Sequence, residues 1–586
     1  MSQADDKPNE RRARRRHSTG RHPIIFIRGL ALGDEAIEAT TATPFMGFNL
    51  GATKHRQLWT GEVVRLHFPS PLIRLMEDHG YRAVDVDADR HRPAPRVAPT
   101  DPSNDARPEL IGARSVIIHR YYDRADSDWV ALERARAASD DEPIKATPPT
   151  IFEAAADLCD LIEHLESRWD GAEGAFGVHL VAHSMGGLIA RCVLQHPQLK
   201  HRRAARAVNK VFTYATPHGG ITLAGFEMPR LLRRQHLHHF HKAHLAELFQ
   251  APTADDLNGD FPTERFFCLV GTNHRDYGAG WGLAKRLAGP MSDGLVQINR
   301  AAVKHAPRAH VHRTHGGPFG IVNSEAGYNN LVRFLFGRLR LDAQLELQSL
   351  PLPPALQAAK DQGHRINASY WIEASLAPRP NPREGERAPV YLTERRRANH
   401  SAIFRGYDEL MHPERLKSAN PRSVPTREPR HPVLFSACLD PRHSADHDRI
   451  VLSLELKVSA TDYAIDGEIH PEYSLAGQTL YQDTLKLTFS PSGAPQTTGP
   501  DAARWALAVT SISQPWAEPE PVADTPATAD RGLASQAFTL RLTRGPQLRS
   551  TASPSVSPSA DPRQRPPRRD FQANLKLQLT HRGGWA

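Results

Sequence analysis

Cysteine is scarce in this chain, with four in 586 residues. Cys159, Cys192, Cys268 and Cys438 lie far apart in apolar segments. The pattern predicts reduced core thiols and excludes a disulfide framework or a cysteine-based metal site. Long apolar runs are also missing: no stretch approaches the roughly 18 apolar residues that a membrane span requires. The start is rich in arginine (Arg11, Arg12, Arg14, Arg15, Arg16), but His17-Ser18-Thr19-Gly20 follows where a signal peptide would carry an apolar stretch. A secretory or twin-arginine signal is therefore rejected. The expectation is a cytoplasmic protein, with signal-independent export left open. No internal repeat is present, which excludes solenoids and propellers.

Length and composition allow more than they exclude. A chain of 586 residues with 39% hydrophobic residues can bury a sizeable core in two or three domains. The 48 prolines predict long loops and linkers. The net charge of +9 is partly local, since the N-terminal arginines sit in a polar tail expected to be solvated and disordered. Nucleic acid is not expected as a partner; anionic lipid is the second partner such a tail suggests.

The most informative segment is Val181-Ala182-His183-Ser184-Met185-Gly186-Gly187. An apolar strand-like stretch, Phe176 to Val181, precedes it, and a helix-like stretch, Leu188 to Leu194, follows before Pro197. A serine at a tight strand-to-helix turn is the nucleophile elbow of serine hydrolases. The turn demands small residues two before and two after the serine, and Ala182 and Gly186 meet that demand. The serine hydroxyl needs a neighbouring imidazole to take its proton. The Met185 N–H is the expected first donor to the oxyanion of acyl transfer.

Around this segment, strand-like and helix-like stretches alternate, the mark of an α/β sheet. Strands are expected at 23–27, 82–86, 115–119, 211–215 and 266–270. Helices are expected at 71–79, from Thr150 (whose capping box with Glu153 opens a stretch carrying Phe152, Ala155, Leu158, Ile162 and Leu165), and around Tyr328 to Phe336. Residues 88–113 read as a surface insertion. Residues 341–365, with Leu350-Pro351-Leu352-Pro353-Pro354, read as a linker. Beyond it, seven segments of strand-like alternation between Tyr370 and Leu579 predict a β-sandwich-like domain. The expected organisation is a disordered tail over 1–21, a catalytic domain over 22–340 with a cap at about 221–258, the linker, and a β-rich domain over 366–586 containing a disordered excursion at about 545–570.

The remaining catalytic pieces follow in the order Ser, Asp, His. Asp293 lies in Met291-Ser292-Asp293-Gly294-Leu295-Val296, and His315 in Thr314-His315-Gly316-Gly317-Pro318-Phe319. Both fall in loops after strands, where α/β sheets carry their sites. Asp276 is the rival acid. His310 and His312 are rival bases, ranked lower because they would sit within a strand. The second oxyanion donor is expected at Leu30 N–H in Ile27-Arg28-Gly29-Leu30, where Gly29 allows close backbone approach.

On Ala182 to Gly187, Ala215-Thr216-Pro217-His218-Gly219-Gly220, Ser292 to Val296, Arg28-Gly29-Leu30 and Arg120-Tyr121-Tyr122-Asp123, the chain resembles the α/β-hydrolase lipases and esterases. It is most similar to lecithin–cholesterol acyltransferase-like and GPI-inositol-deacylase-like enzymes. The resemblance covers about residues 22–340. It implies an α/β-hydrolase fold with a mainly parallel central sheet and a Ser184–Asp293–His315 triad. Substrate would lie near Arg28, Gly29, His183, Pro217 and His218, and no metal or cofactor is implied. Arg28 departs from the histidine common in lipases at that position.

The resemblance puts a cap after Gly220. Residues 225–250 are rich in basic side chains (Arg230, Arg233, Arg234, Lys242 and several histidines) interleaved with Leu231, Leu232, Leu237, Phe240, Leu245 and Leu248. A basic amphipathic cap suits an anionic membrane surface, and an ordinary solvated helix face is the alternative. The expected activity is hydrolysis of carboxylic esters, of lipid or phospholipid type, through an acyl-enzyme. Acyl transfer by the same triad, a non-catalytic binding protein on the same fold, and a bacterial lipase effector remain alternatives. The protein partner of the β-rich domain is unknown.

Overall fold

The computed structural model describes residues 21–30, 43–57, 61, 63–86, 110–122, 149–172, 174–221, 240–277, 288–364, 366–379, 390–395, 403–406, 411, 432–440, 449–465, 478–492, 504–513, 521–530, 533–543 and 571–582. The expected disordered stretches at 1–21 (apart from Arg21) and 545–570, and most of the insertion at 88–113, lie outside these residues. The chain divides into two compact units, Met1–Asn49 with Leu72–Val211, and Leu50–Pro71 with Phe212–Gly583.

In chain order the N-terminal half contains β1 (Ile24–Ile27), β2 (Ala52–Gln57), β3 (Val63–Phe68), α1 (Pro71–His79), β4 (Arg82–Ala83), β5 (Ser115–His119), α2 (Ile151–Ser167), β6 (Val178–His183), α3 (Met185–Gln195), α4 (Arg203–Ala207) and β7 (Val208–Tyr214). Then come α5 (Lys242–Leu248), β8 (Phe266–Gly271), β9 (Arg308–Val311) and α6 (Glu325–Phe336). Seven strands form one sheet in the order β4-β5-β1-β6-β7-β8-β9. β1 pairs in parallel with β5 and β6, and β8 in parallel with β9. This mainly parallel sheet with intervening helices is the α/β-hydrolase type of fold.

The local sequence explains these elements. All four residues of β1 are buried, as a central strand of a parallel sheet requires. Thr150 and Glu153 form the full capping box at the head of α2, whose Ala155, Leu158, Ile162 and Leu165 are buried. Every residue of α3 is buried, including Arg191, whose Nε donates to Gln195 Oε1 at 2.8 Å. At α6, Ser324 Oγ accepts from the Gly327 N–H at 3.0 Å. The strand expected at 82–86 closes after Ala83.

The C-terminal part continues with β10 (Leu339–Ser349), α7 (Pro354–Asp361), β11 (Ile366–Pro378), β12 (Thr393–Arg395), β13 (Ile403–Gly406), β14 (Val433–Leu439), β15 (Ile450–Ile465), β16 (Gln478–Ser492), β17 (Arg504–Ser511), β18 (Pro521–Asp530), β19 (Leu533–Thr543) and β20 (Gln572–His581). Two antiparallel sheets result, β14-β10-β20-β19-β18 and β12-β11-β15-β16-β17, with β13 on β11. Alternating apolar residues of both sheets share one core, among them Leu341 and Leu345 of β10, Leu577 of β20, Leu454 of β15 and Leu487 of β16. Phe489 meets Phe538 of the other sheet edge to face, with ring centroids 5.8 Å apart. The arrangement is sandwich-like.

One expectation is overturned here. Residues 341–365 are not a linker: 339–349 form β10, paired on both sides by β14 and β20, and Pro354–Asp361 form a helix. Leu339, Leu341, Ala343, Leu345 and Leu347 alternate into the core at a period of two. The proline cluster marks a turn and the first turn of a helix, where proline is tolerated.

Candidate active site

Ser184 sits between β6 and α3 with φ 53° and ψ −124°, in a region that L side chains rarely adopt. Such a conformation costs about 1–3 kcal/mol and persists where its surroundings enforce it. The enforcing contacts come from the end of β1. A Cβ on Gly186 would lie 2.4 Å from the Ile27 carbonyl oxygen and 2.8 Å from that of Arg28. A Cβ on Gly29 would lie 2.6 Å from Ser184 Cβ and 3.3 Å from its Oγ. Both glycines are thus required by close approach, and the backbone after β1 abuts the serine. Met185 opens α3, where the first N–H groups of a helix have no intrahelical acceptor.

The Arg28-Gly29-Leu30 loop is anchored on several sides. An Arg28 guanidinium N–H donates to the Met46 carbonyl. Burial pulls the Arg28 pKa down from its usual value, against the raising influence of Tyr121 and Tyr122. Tyr121 Oη donates to the carbonyls of Arg28 at 3.0 Å and Gly29 at 3.2 Å, and Tyr122 Oη donates to Gly29 at 3.3 Å.

Asp293 and His315 are brought together. His315 Nδ1 lies 3.0 Å from Asp293 Oδ2, and both residues are buried. The carboxylate's other oxygen accepts the N–H groups of Leu295 at 3.0 Å and Val296 at 2.7 Å. The His315 N–H donates to the Asp293 carbonyl at 2.9 Å. A carboxylate so engaged accepts from Nδ1–H and leaves Nε2 as the basic nitrogen. Gly271, at the end of β8, makes the approach feasible, because a Cβ there would lie 2.8 Å from Asp293 Cβ. The ring of Tyr277 stands edge-on to His315, with centroids 5.9 Å apart. Burial, then the charge of Asp293, raises the Tyr277 hydroxyl pKa, so the hydroxyl stays protonated.

The rivals are occupied elsewhere. Asp276 accepts from Asn273 Nδ2 at 2.7 Å. His310 is buried within β9, its pKa pushed well below the usual imidazole value by burial, then by Arg395 and Arg308. His312 lies just past the end of β9 rather than inside it.

The expected substrate contacts divide. Arg28 and Gly29 lie in the loop beside Ser184, and His183 directly precedes the serine. Pro217 is buried. His218 is fully buried, with Nε2 3.1 Å from Thr213 Oγ1 and its ring edge-on to Phe266. The His218 imidazole thus packs between Thr213 of β7 and Phe266 of β8. Of the cap, residues 222–239 lie outside the described residues. The described part carries α5, with Phe240, Leu245 and Phe249 buried.

Residues 145–236 match the family model of a PGAP1-like alpha/beta domain. The segment spans α2, the elbow and β7, so the match and the sheet order agree on the α/β-hydrolase type of fold. Among solved structures, the product of the gene lin2722 from Listeria innocua is similar at 12% identity, covering 54% of this chain and 94% of that one, with a TM-score of 0.24. No curated protein matches the chain. Among the described residues, no group of three or more His, Cys, Asp or Glu side chains is disposed to hold a metal ion, and no helix is long and apolar enough to cross a membrane.

Sequence reasoning did not assign the Tyr121–Tyr122 contacts or the Tyr277 ring. Their signal was an aromatic pair directly after a buried strand and a tyrosine near the acid loop, neither of which has a role until the chain is folded.

Proposed function

We propose that the chain is a serine hydrolase that cleaves carboxylic esters through an acyl-enzyme, with lipid acyl esters as its substrate class. Ser184 Oγ attacks the ester carbonyl while His315 Nε2 takes the hydroxyl proton. The carbonyl oxygen becomes an oxyanion, received by the N–H groups of Met185 and Leu30. Collapse expels the alcohol, which takes the proton from His315. Water then attacks the acyl-serine, giving its proton to His315, and releases the acid as Ser184 recovers its hydrogen. Asp293 holds the imidazole in the tautomer this shuttle needs.

The observation that carries the reading is the strained Ser184 backbone, held against the end of β1 by Gly29 and Gly186. Strain of this kind clusters where a side chain must be presented for chemistry. Further support comes from the buried, hydrogen-bonded Asp293–His315 pair, and from the chain positions of the three residues after β6, β8 and β9, the strand ends where parallel sheets carry their sites. The lipid class rests on the enzyme resemblance and on the basic, leucine-rich segment 225–250.

Labelling with a fluorophosphonate probe tests the nucleophile. The parent should label and Ser184→Ala should not; equal labelling, or parent turnover in the variant, refutes it. Binding to anionic vesicles by the parent and by a variant carrying Arg230→Glu, Arg233→Glu and Arg234→Glu tests the lipid surface, and unchanged affinity removes that part.

A further inference from the structure

Two buried tyrosines bind the loop beside Ser184 and have no part in the mechanism above. Tyr121 and Tyr122 follow β5, and their rings pack on each other with centroids 4.4 Å apart. Both hydroxyls donate to the Gly29 carbonyl, at 3.2 and 3.3 Å, and Tyr121 also reaches the Arg28 carbonyl at 3.0 Å. Tyr121 has one hydroxyl proton, shared between the Arg28 and Gly29 carbonyls with the shorter contact to Arg28, and Tyr122 reaches the Gly29 carbonyl, so the pair together grips both carbonyls of the loop.

In a trans peptide the carbonyl and the following N–H point in opposite directions, and no described peptide bond is cis. Fixing the Gly29 carbonyl therefore fixes the Leu30 N–H on the face away from the tyrosines. That peptide turns about ψ of Gly29 and φ of Leu30, and Gly29, with no Cβ, offers little steric resistance on its side. A flip of the Gly29–Leu30 peptide would turn a carbonyl dipole toward the developing oxyanion in place of the donor.

We propose that the Tyr121 and Tyr122 hydroxyls are positioning groups that lock the Gly29–Leu30 peptide with its N–H presented to the oxyanion. The proposal rests on the serine-hydrolase reading. The Tyr121 hydroxyl keeps its proton throughout the working pH range, since burial, then the neighbouring Tyr122, raises its pKa well above the usual value. The Tyr121 grip is therefore independent of pH where an imidazole base operates.

The test uses the full chain and compares Tyr121→Phe, Tyr122→Phe and the double variant, which keep both rings and remove only the hydroxyls. Short p-nitrophenyl esters report kcat and KM, a trifluoromethyl ketone reports oxyanion binding, and thermal melting reports the fold. Loss of one oxyanion donor costs about 10²–10³-fold in kcat, and a loosened donor costs part of that. The double variant should lose about 10- to 100-fold in kcat with KM within about twofold. Its inhibition constant for the ketone should rise by the same factor as kcat/KM falls. Parent kcat and parent ketone affinity in the double variant, or a rise in KM alone, would overturn the proposal. If the double variant melts before assay, the single variants decide by the same criteria. Fluorophosphonate labelling of the parent and of Ser184→Ala separates the two failures: a parent that does not label sinks the hydrolase reading, whereas a labelling parent with a fully active double variant sinks only the clamp.

Discussion

Gly29→Ala offers a quantitative test of how the loop after β1 holds the serine. The added methyl would lie 2.6 Å from Ser184 Cβ, 3.1 Å from the His183 carbonyl and 3.3 Å from Ser184 Oγ. Ordinary van der Waals contact begins near 3.4 Å, so the loop and the elbow must separate by about 0.8 Å. Neither side yields cheaply, since Ser184 is fixed between β6 and α3 and the loop by the tyrosine hydroxyls and Met46. Forced overpacking of this kind costs about 1–3 kcal/mol. The same shift exceeds the roughly 0.5 Å tolerance of a working site, and misplacement by about 1 Å costs on the order of 10²-fold in rate. Gly316→Ala is the matched control for stability, since nothing lies within 4 Å of its added Cβ. Melting and ester turnover, measured side by side, should show Gly29→Ala both less stable and slower by about tenfold to a hundredfold, with Gly316→Ala melting like the parent. A Gly29→Ala protein that melts and turns over like the parent would mean that the close approach is not a constraint.

Asp293→Asn should reduce kcat by about 10³–10⁴-fold with little change in KM, because the amide cannot hold Nδ1–H while still accepting from Leu295 and Val296; steady-state kinetics on a soluble ester would check this. Stability should fall as pH drops below about 6.5, the ordinary imidazole value. His310 is depressed in the fold, so the unfolded chain takes up the proton first, and its contribution, complete above that pH, is lost at about 1.4 kcal/mol per pH unit until the folded group titrates. Urea unfolding at pH 5 to 8 should show this slope, and His310→Leu should flatten it. Leu345→Ala should cost about 2–5 kcal/mol, since Leu345 is fully buried in the shared core of the two antiparallel sheets; a neutral result by urea unfolding would mean that β10 does not belong to that core.

The serine turn was legible because its signals are local. The serine turn depends on small residues two positions away on either side, and Gly186 is small because the β1 carbonyls leave no space for a Cβ. The helix behind Thr150 announced itself through a capping box that spans three residues. Asp293 and His315 were readable as loop residues in a fixed order; strand context set His310 aside, whereas His312 lies past the strand end. The reading failed where partners are remote. β10 pairs with a strand more than two hundred residues later, so its alternation was outweighed by the adjacent prolines.

By itself, the sequence determined the alternation of strands and helices and the serine turn, because hydrophobic period, caps and turn sterics act over a few residues. The tertiary structure decided which carboxylate holds the imidazole, which carbonyls the two tyrosines grip, and which leucines of β10 face a second sheet. Those outcomes depend on backbone segments distant in the chain coming within a few ångströms, and hydrogen bonds and close packing discriminate only at that range.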